Sequence, residues 1–137
     1  MDAFAAPPLT SASPQVLHRQ QILLPSLVYL VTGANRGVGR GLVETLLARP
    51  NTTVIAAVRN TTNSSSRELS TLKCESGSRC ILVKIDAEVD SDPAVAVSKL
   101  REEHGITCLD VVLANAGVSY DLARLHEADP ELLKKNF

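Results

Sequence analysis

The chain of 137 residues carries 14 Lys and Arg against 15 Asp and Glu, a net charge of −1, so it lacks the basic excess of a protein that binds nucleic-acid phosphates. Its length fits one domain, and 45% hydrophobic residues with a mean hydropathy of +0.07 are typical of a globular fold rather than a disordered chain. Only 3% of the residues are aromatic, which argues against the base-stacking surfaces of single-strand binders.

The chain has three cysteines, Cys74, Cys80 and Cys108, which is a small and odd number and does not make a disulfide framework. No His lies close enough to Cys74 and Cys80 to complete a zinc site, so we expect free thiols and no bound metal. No uninterrupted apolar run approaches the ~20 residues that span a bilayer. The first residues also lack the basic start of a signal peptide. These features predict a soluble, cytoplasmic protein without a membrane partner.

Residues 1–25 contain four prolines among Ala, Ser and Thr and develop no hydrophobic period, which predicts a flexible N-terminal arm. The pattern changes at Leu27, where a continuous apolar run of strand formers extends to Val31. Such a run is typical of a strand buried on both faces. Glycines follow at once, and apolar residues then recur at helical spacing as far as Pro50, which closes the predicted helix.

Strand and helix patterns continue to alternate along the rest of the chain. In order, they predict a strand over 53–58, a polar loop over 60–66, a short helix over 67–73, a strand over 80–85, a helix from Asp92 to His104 that stops at Gly105, a strand over 109–114, and a helix that opens at Asp129 and Pro130. Asp92 and Pro93 supply the N-cap and the first-turn residue of the long helix. This alternation predicts an α/β fold of Rossmann type, a parallel sheet between two helical layers. The sequence stops soon after the last helix opens, which favours a truncated domain.

The segment directly after the first strand has the strongest functional pattern, Thr32-Gly33-Ala34-Asn35-Arg36-Gly37-Val38-Gly39. A glycine turn in this place lets the backbone approach a pyrophosphate without obstruction by Cβ, and the following helix offers unpaired N–H groups and the positive end of its dipole. Gly39 lets the helix pack closely on the strand. The alternative is an ordinary glycine-rich turn, but the buried strand before it and the amphipathic helix after it favour a nucleotide site.

The glycines follow the pattern Gly-x-x-x-Gly-x-Gly rather than the general Gly-x-Gly-x-x-Gly, and Ala114-Asn115-Ala116-Gly117 ends the fourth predicted strand. On these motifs the sequence from about residue 27 to residue 137 resembles the short-chain dehydrogenase/reductase family. Segments 29–33 and 100–105 are most similar to its branch of norsolorinic acid ketoreductases and sniffer-like carbonyl reductases. The resemblance implies that residues 26–137 are the dinucleotide-binding half of the family's domain, with sheet order 3-2-1-4.

The resemblance also implies which residues bind the cofactor. In the family, the Asn-Ala-Gly segment supports the central sheet and borders the cofactor, and an aspartate at the end of the third strand, here Asp86, hydrogen-bonds the adenine ring. The alternative for Asp86 is a loop or helix-capping carboxylate, and Asn115 also fits an ordinary turn. The assigned cofactor-binding residues are Gly33, Asn35, Arg36, Gly37, Val38, Gly39, Arg59, Asp86, Asn115, Ala116 and Gly117.

Arg59 ends the second predicted strand, at the place where NAD-dependent Rossmann sites have an acidic residue that binds the ribose 2′-hydroxyl. A guanidinium cannot accept that hydrogen bond, but it can hold a 2′-phosphate through charge-assisted bonds. Arg36, within the glycine loop, offers a second cation. The pair favours NADP(H) over NAD(H), whereas each arginine taken alone also fits a solvated surface charge.

Catalysis in this family needs a Tyr, a Lys four residues later, a Ser, and an Asn that holds a relay water. Tyr29 lies within the first strand, and Tyr120 is followed four residues later by Arg124 rather than Lys. Ser119 precedes the expected serine, and Asn136 falls just short of the expected asparagine. We therefore assign no catalytic residue, and the half of the domain that carries catalysis is expected to be absent.

The sequence leaves three functional hypotheses open. The first is an NADP(H)-dependent ketoreductase of secondary metabolism, acting on an aromatic polyketide ketone and truncated before its catalytic Tyr and Lys. The second is a non-catalytic half-domain that binds NADP(H) or associates with another reductase, and the third is an inert remnant. The expected partners are a small ketone or alcohol in a completed enzyme, and further copies or another reductase in an oligomer.

Overall fold

The computed structural model describes residues 26–117, 126–127 and 129–134, and the predicted arm over 1–25 lies outside them. Strand and helix alternate in the predicted order. The elements are β1 (Leu27–Thr32), α1 (Gly37–Leu47), β2 (Thr52–Val58), α2 (Ser64–Leu69), β3 (Arg79–Lys84), α3 (Asp92–His104), β4 (Val111–Leu113) and α4 (Pro130–Lys134).

The four strands form one parallel sheet in the order β3-β2-β1-β4, which confirms the predicted order. Leu30 of β1 lies between Ile55 of β2 and Val112 of β4. Every residue of β2 is buried, as expected for a central strand covered on both faces. Because all four strands run the same way, their carboxyl ends meet at one edge of the sheet.

Two apolar clusters pack on opposite faces of the sheet, so the molecule has the three layers that the sequence predicts. On one face, residues of α1 and α2 such as Val43, Leu47 and Leu69 pack against the sheet. On the other face, Ala96 and Leu100 of α3 pack against it. The loops that connect the layers therefore converge at the sheet's two edges.

The predicted bounds of α2 are wrong. The helix begins at Ser64 rather than at residue 67, and it ends at Leu69 rather than at residue 73. The side chain of Asn63 caps it by accepting a bond from the Ser66 N–H at 3.2 Å, and the buried Ser66 hydroxyl donates to the Asn60 carbonyl at 2.6 Å. These local bonds make a helix of a serine run that the sequence pattern assigns to a loop.

Further boundaries differ from prediction, by one residue at β2, at β3 and at the N-cap of α3, and by more at β4. The N-cap of α3 is Ser91 and not Asp92, which instead occupies the first turn of the helix. Strand β4 is shorter than predicted: the Asp110 N–H still donates to the Val28 carbonyl at 2.9 Å, but the Asp110 carboxylate rather than a further backbone carbonyl accepts the Val28 N–H at 2.7 Å. Asp110 is thus a polar residue directly before β4. Helix α3 ends at Gly105, which adopts the left-handed conformation, and this end agrees with prediction.

Candidate functional site

A cleft of about 1000 Å³ lies at the edge where the carboxyl ends of the strands meet. Loops that follow all four strands contribute to it. Its lining residues are Gly33, Asn35, Arg36, Gly37, Arg59, Asn60, Asn63, Ser65, Ile85, Asp86, Ala87, Glu88, Asn115, Ala116 and Gly117. The structure thus brings nine of the eleven assigned residues into one cleft, in the position where open α/β sheets bind ligands.

The loop between β1 and α1 depends on glycine at two positions. Gly33 has φ +64° and Gly37 has φ +54°, both in the left-handed region that other residues rarely adopt. A Cβ on Gly33 would also lie 3.1 Å from the Ala116 Cα and 3.3 Å from Asn115 Nδ2. The loop therefore lies directly against the end of β4, and its backbone faces the cleft.

Val38 and Gly39 are the two assigned residues that do not line the cleft. Val38 is 73% exposed, whereas Gly39 is buried under the loop. A Cβ on Gly39 would collide with the Gly33 carbonyl and would lie 2.6 Å from Asn115 Nδ2. Gly39 thus has the close-packing role that its place in the pattern predicts, and direct contact of either residue with a cofactor stays a prediction.

Thr32 and Asn115 join the ends of β1 and β4. The Thr32 hydroxyl accepts bonds from the N–H groups of Asn115 at 3.0 Å and Ala116 at 2.9 Å. The Asn115 side-chain amide donates to the Thr32 carbonyl at 3.0 Å. Asn115 therefore supports the central sheet at the border of the cleft. Thr32 was not assigned to the site, although its position just before Gly33 is the signal that would have found it.

Arg36 and Arg59, called here the two cleft arginines, reach the cleft from the loops after β1 and β2. Both residues are exposed. Neither guanidinium forms a hydrogen bond or an ion pair within residues 26–117, 126–127 and 129–134. Arg40, one turn into α1, differs in that hydrogen bonds to Glu68 at 2.7 Å and then Glu44 at 3.0 Å raise its pKa. The two cleft arginines are therefore free to bind an anion.

The part of the cleft lining that follows β2 is polar, and none of its residues beyond Arg59 was assigned to the site from the sequence. Asn60, Asn63 and Ser65 follow β2, and the Ser65 hydroxyl accepts a bond from the Asn35 side-chain amide at 3.0 Å. This bond joins the glycine loop to the start of α2. Position after a strand's carboxyl end is the signal that would have marked these residues, and it applies equally to the missed lining residues after β3, which are Ile85, Ala87 and Glu88.

Asp86 forms the lining beyond β3, half-buried, and its carboxylate accepts the Glu88 N–H at 3.1 Å. Its own N–H donates to the Asp92 carboxylate at 2.9 Å, which in turn pairs with the Lys84 ammonium at 3.0 Å. The bond from the Asp86 backbone is the main cause, and that from Lys84 the second, of the lowered pKa of Asp92. The Asp86 carboxylate is thus both a loop acceptor and a residue of the cleft.

The residues that resemble catalytic groups lie away from the described cleft or outside the described residues. Tyr29 lies in β1 and packs against the core cluster beneath α1, as predicted for a structural tyrosine. Ser119, Tyr120 and Asn136 lie outside the described residues. Within the described ranges, no group of His, Cys, Asp or Glu is arranged to hold a metal ion. No helix in that part of the chain is long and apolar enough to cross a membrane.

Residues 27–137 match the family model for short chain dehydrogenases, so the chain belongs to the short-chain dehydrogenase/reductase family. Among its relatives, a norsolorinic acid ketoreductase of Dothistroma septosporum is 55% identical over 91 residues, which is 66% of this chain and 34% of that protein. A norsolorinic acid ketoreductase of Aspergillus parasiticus is 51% identical over 92 residues, again 34% of its length. The chain spans about a third of the length of these curated relatives.

The solved structures show the same fold. The NADPH-bound carbonyl reductase from chicken fatty liver superposes with a TM-score of 0.70 at 25% sequence identity, over 82% of this chain and 42% of that one. These comparisons confirm the predicted family and its ketoreductase branch.

Proposed function

We propose that the chain is the NADP(H)-binding part of a short-chain ketoreductase that acts on an aromatic polyketide ketone in secondary metabolism. The names of the fungal relatives at 51–55% identity support the ketone substrate class. The observation that supports the cofactor is the pair of cleft arginines, whose side chains have no partner among the described residues, beside a glycine loop at the carboxyl edge of the sheet. A hydride for the ketone carbon is the chemistry that the bound cofactor supplies.

The start of α1 fits the diphosphate of such a cofactor. The N-cap of α1 is Arg36, which makes no side-chain cap bond, so the first N–H groups of the helix have no acceptor within the helix or from its cap. Those groups and the positive helix end attract a phosphate. The turn at Gly33 and Gly37 presents backbone rather than side chains at this point, which leaves the approach open.

The two cleft arginines fit the 2′-phosphate that distinguishes NADP(H) from NAD(H). Charge-assisted bonds of this kind contribute roughly 1.5–3 kcal/mol each, so one of them accounts for a tenfold or larger preference. Elsewhere in the lining of the cleft, the Asp86 carboxylate fits the amino group of the adenine ring. The cleft therefore offers cations where the cofactor is anionic and an acceptor where it has a donor.

The proposal also predicts that this chain alone does not catalyse the reduction, because it lacks the Tyr and Lys that catalysis needs. Neither tyrosine of the 137 residues has a Lys four positions later, so no neighbouring ammonium is available to favour a phenolate. We expect this chain alone to bind NADPH without reducing a ketone. A ketone reduction by the purified chain, followed as loss of NADPH absorbance, would contradict this part of the proposal.

The binding test compares NADPH and NADH by fluorescence titration of the full chain. Arg59→Glu removes a cation from the cleft and should raise the Kd for NADPH at least about tenfold while leaving the Kd for NADH little changed. Arg49→Glu is the matched control, because Arg49 is exposed near the end of α1 and does not line the cleft. It should leave both Kd values unchanged.

Two outcomes would overturn the cofactor assignment. An equal loss of NADPH and NADH binding in Arg59→Glu would show that Arg59 does not select the 2′-phosphate. A wild-type chain that is folded, as judged by circular dichroism, yet shows no saturable NADPH binding would favour an inert remnant. Saturable binding without turnover would support the non-catalytic binding role of this chain.

A further inference from the structure

The loop between β3 and α3 is closed by bonds that converge on one carboxylate. The Asp86 N–H donates to Asp92 Oδ2 at 2.9 Å, and the Lys84 ammonium lies 3.0 Å from the same oxygen and 3.3 Å from Oδ1. The Asp92 side chain is only 12% exposed, whereas that of Lys84 is 53% exposed. A single, largely buried carboxylate therefore ties the end of β3 to the first turn of α3.

Backbone bonds make the same loop a closed unit. The Val89 N–H donates to the Asp86 carbonyl at 3.1 Å, and the Asp92 N–H donates to the Val89 carbonyl at 3.0 Å. The Asp86 carboxylate, which lines the cleft, accepts the Glu88 N–H at 3.1 Å. Two bonds thus orient Asp86 toward the cleft. Its N–H donates to the Asp92 carboxylate, and its own carboxylate accepts the Glu88 N–H of the loop.

We propose that Asp92, a residue that does not line the cleft, is the positioning residue for Asp86 and so for the adenosine end of the bound cofactor. The inference rests on the proposed function, since it assigns Asp92 a role only if the cleft binds an adenine dinucleotide. Without an acceptor at position 92, the N–H of Asp86 loses its partner, and the loop keeps only the backbone bond from the Asp92 N–H to the Val89 carbonyl as its hydrogen-bonded link to α3. The Asp86 carboxylate is then oriented by the Glu88 N–H without support from its own backbone, so its direction is less fixed.

Three variants separate this role from a general effect on folding. Asp92→Ala removes the acceptor, and Asp92→Asn keeps an oxygen that accepts the Asp86 N–H while it loses the charge. Lys84→Gln removes the ion pair and leaves the Asp86–Asp92 bond. The probe is adenosine 2′,5′-bisphosphate, which contains the adenine and the 2′-phosphate, titrated calorimetrically into the full chain well below the unfolding midpoint of each variant.

We expect Asp92→Ala to raise the Kd of the probe roughly fivefold, the effect of one lost hydrogen bond, and the other two variants to stay within about twofold of wild type. The change should vanish in the Asp86→Ala background, because two substitutions that act through one group are not additive. A folded Asp92→Ala chain with unchanged Kd, or the same fivefold loss in both backgrounds, would overturn the assignment.

The design stays decisive if Asp92→Ala does not fold. A rise of more than about twofold in Asp92→Asn, which retains the acceptor, would contradict a role based on the Asp86 N–H. A wild-type chain that is folded but does not bind the probe would defeat the proposed function itself, and with it this inference. If the wild-type chain binds the probe, the proposed function stands. If Asp92→Ala then changes the Kd by the same factor in the wild-type and in the Asp86→Ala background, only the inference about Asp92 is contradicted.

Discussion

Replacing Gly39 by alanine should destabilise the fold, whereas the same replacement at Gly41 should stabilise it. Both glycines lie in α1, where alanine is favoured over glycine by roughly 0.5–1 kcal/mol. Gly41 is exposed, and a Cβ built on it meets nothing within 4 Å. The Gly41→Ala chain should therefore gain that amount of stability.

At Gly39 the helix preference is outweighed by crowding. The new Cβ would collide with the Gly33 carbonyl and lie 2.6 Å from Asn115 Nδ2, whose amide is held by the Thr32 carbonyl at 3.0 Å. Overpacking of a filled site costs about 1–3 kcal/mol, and displacing the amide removes a bond of about 1 kcal/mol. Subtracting the gain in helix preference leaves an expected net loss of about 1–3 kcal/mol.

Thermal unfolding followed by circular dichroism measures both effects on one scale. A change of 1 kcal/mol moves the midpoint by roughly 3–5 °C in a chain of this size, so we expect Gly39→Ala to unfold about 8 °C below wild type and Gly41→Ala about 3 °C above it. A Gly39→Ala chain as stable as wild type would refute the close contact between α1, the glycine loop and the end of β4. Two midpoints that move in the same direction would refute it as well.

Three further predictions concern other parts of the structure. The pKa of Asp92 is lowered, so its ionised carboxylate stabilises the fold above the ordinary aspartate value of 3.8 and loses that effect as the pH falls; urea unfolding of Asp92→Asn should show a smaller decline between pH ~5 and ~2. Burial and the nearby Cys74 raise the pKa of Cys80 to about 11, whereas Cys108 is exposed, so Cys108→Ser should abolish the fast phase of thiol labelling in the folded chain. Ser65→Asp places a carboxylate in the cleft that holds the two cleft arginines, and NADPH titration should show a weaker complex than in Ser65→Ala, with no difference between the two if Ser65 lies away from the phosphate.

The strands and the longer helices follow from the sequence because each has several consistent signals. After the two threonines at its start, β2 is an unbroken apolar run, and α3 is marked at one end by Pro93 and at the other by Gly105, which adopts φ +66°. Helix α2 lacks such agreement. Only Ser66 and Leu69 of its six residues are buried, and its cap is one asparagine in a polar run. A short element defined by local side-chain bonds is therefore misplaced by periodicity alone.

The candidate site likewise has one part that the sequence predicts and another that it does not. The glycine loop and the segment after β4 are predictable because their motifs are contiguous in the sequence. The bond between Asn35 and Ser65 spans 30 residues and depends on β1 and β2 being neighbours in the sheet. The bond between Asp86 and Asp92 is missed for another reason: a carboxylate before Pro93 has the pattern of a helix cap, but here it accepts the Asp86 N–H at the end of β3 and pairs with Lys84.

The residues that hold the cleft together are distinct from those that we expect to select its ligand. Thr32, Gly39 and Asn115 are packed or hydrogen-bonded between α1, β1 and β4, so their replacement should lower stability and binding together. The side chains of the two cleft arginines are exposed and make no hydrogen bond or ion pair with the described residues, so they contribute little to the free energy of unfolding. Substitutions there should change the choice between NADPH and NADH while the unfolding midpoint stays constant. Because the groups that we propose for recognition of the 2′-phosphate are not part of the packing that forms the cleft, we expect a change in the cofactor preference of this chain to cost little stability.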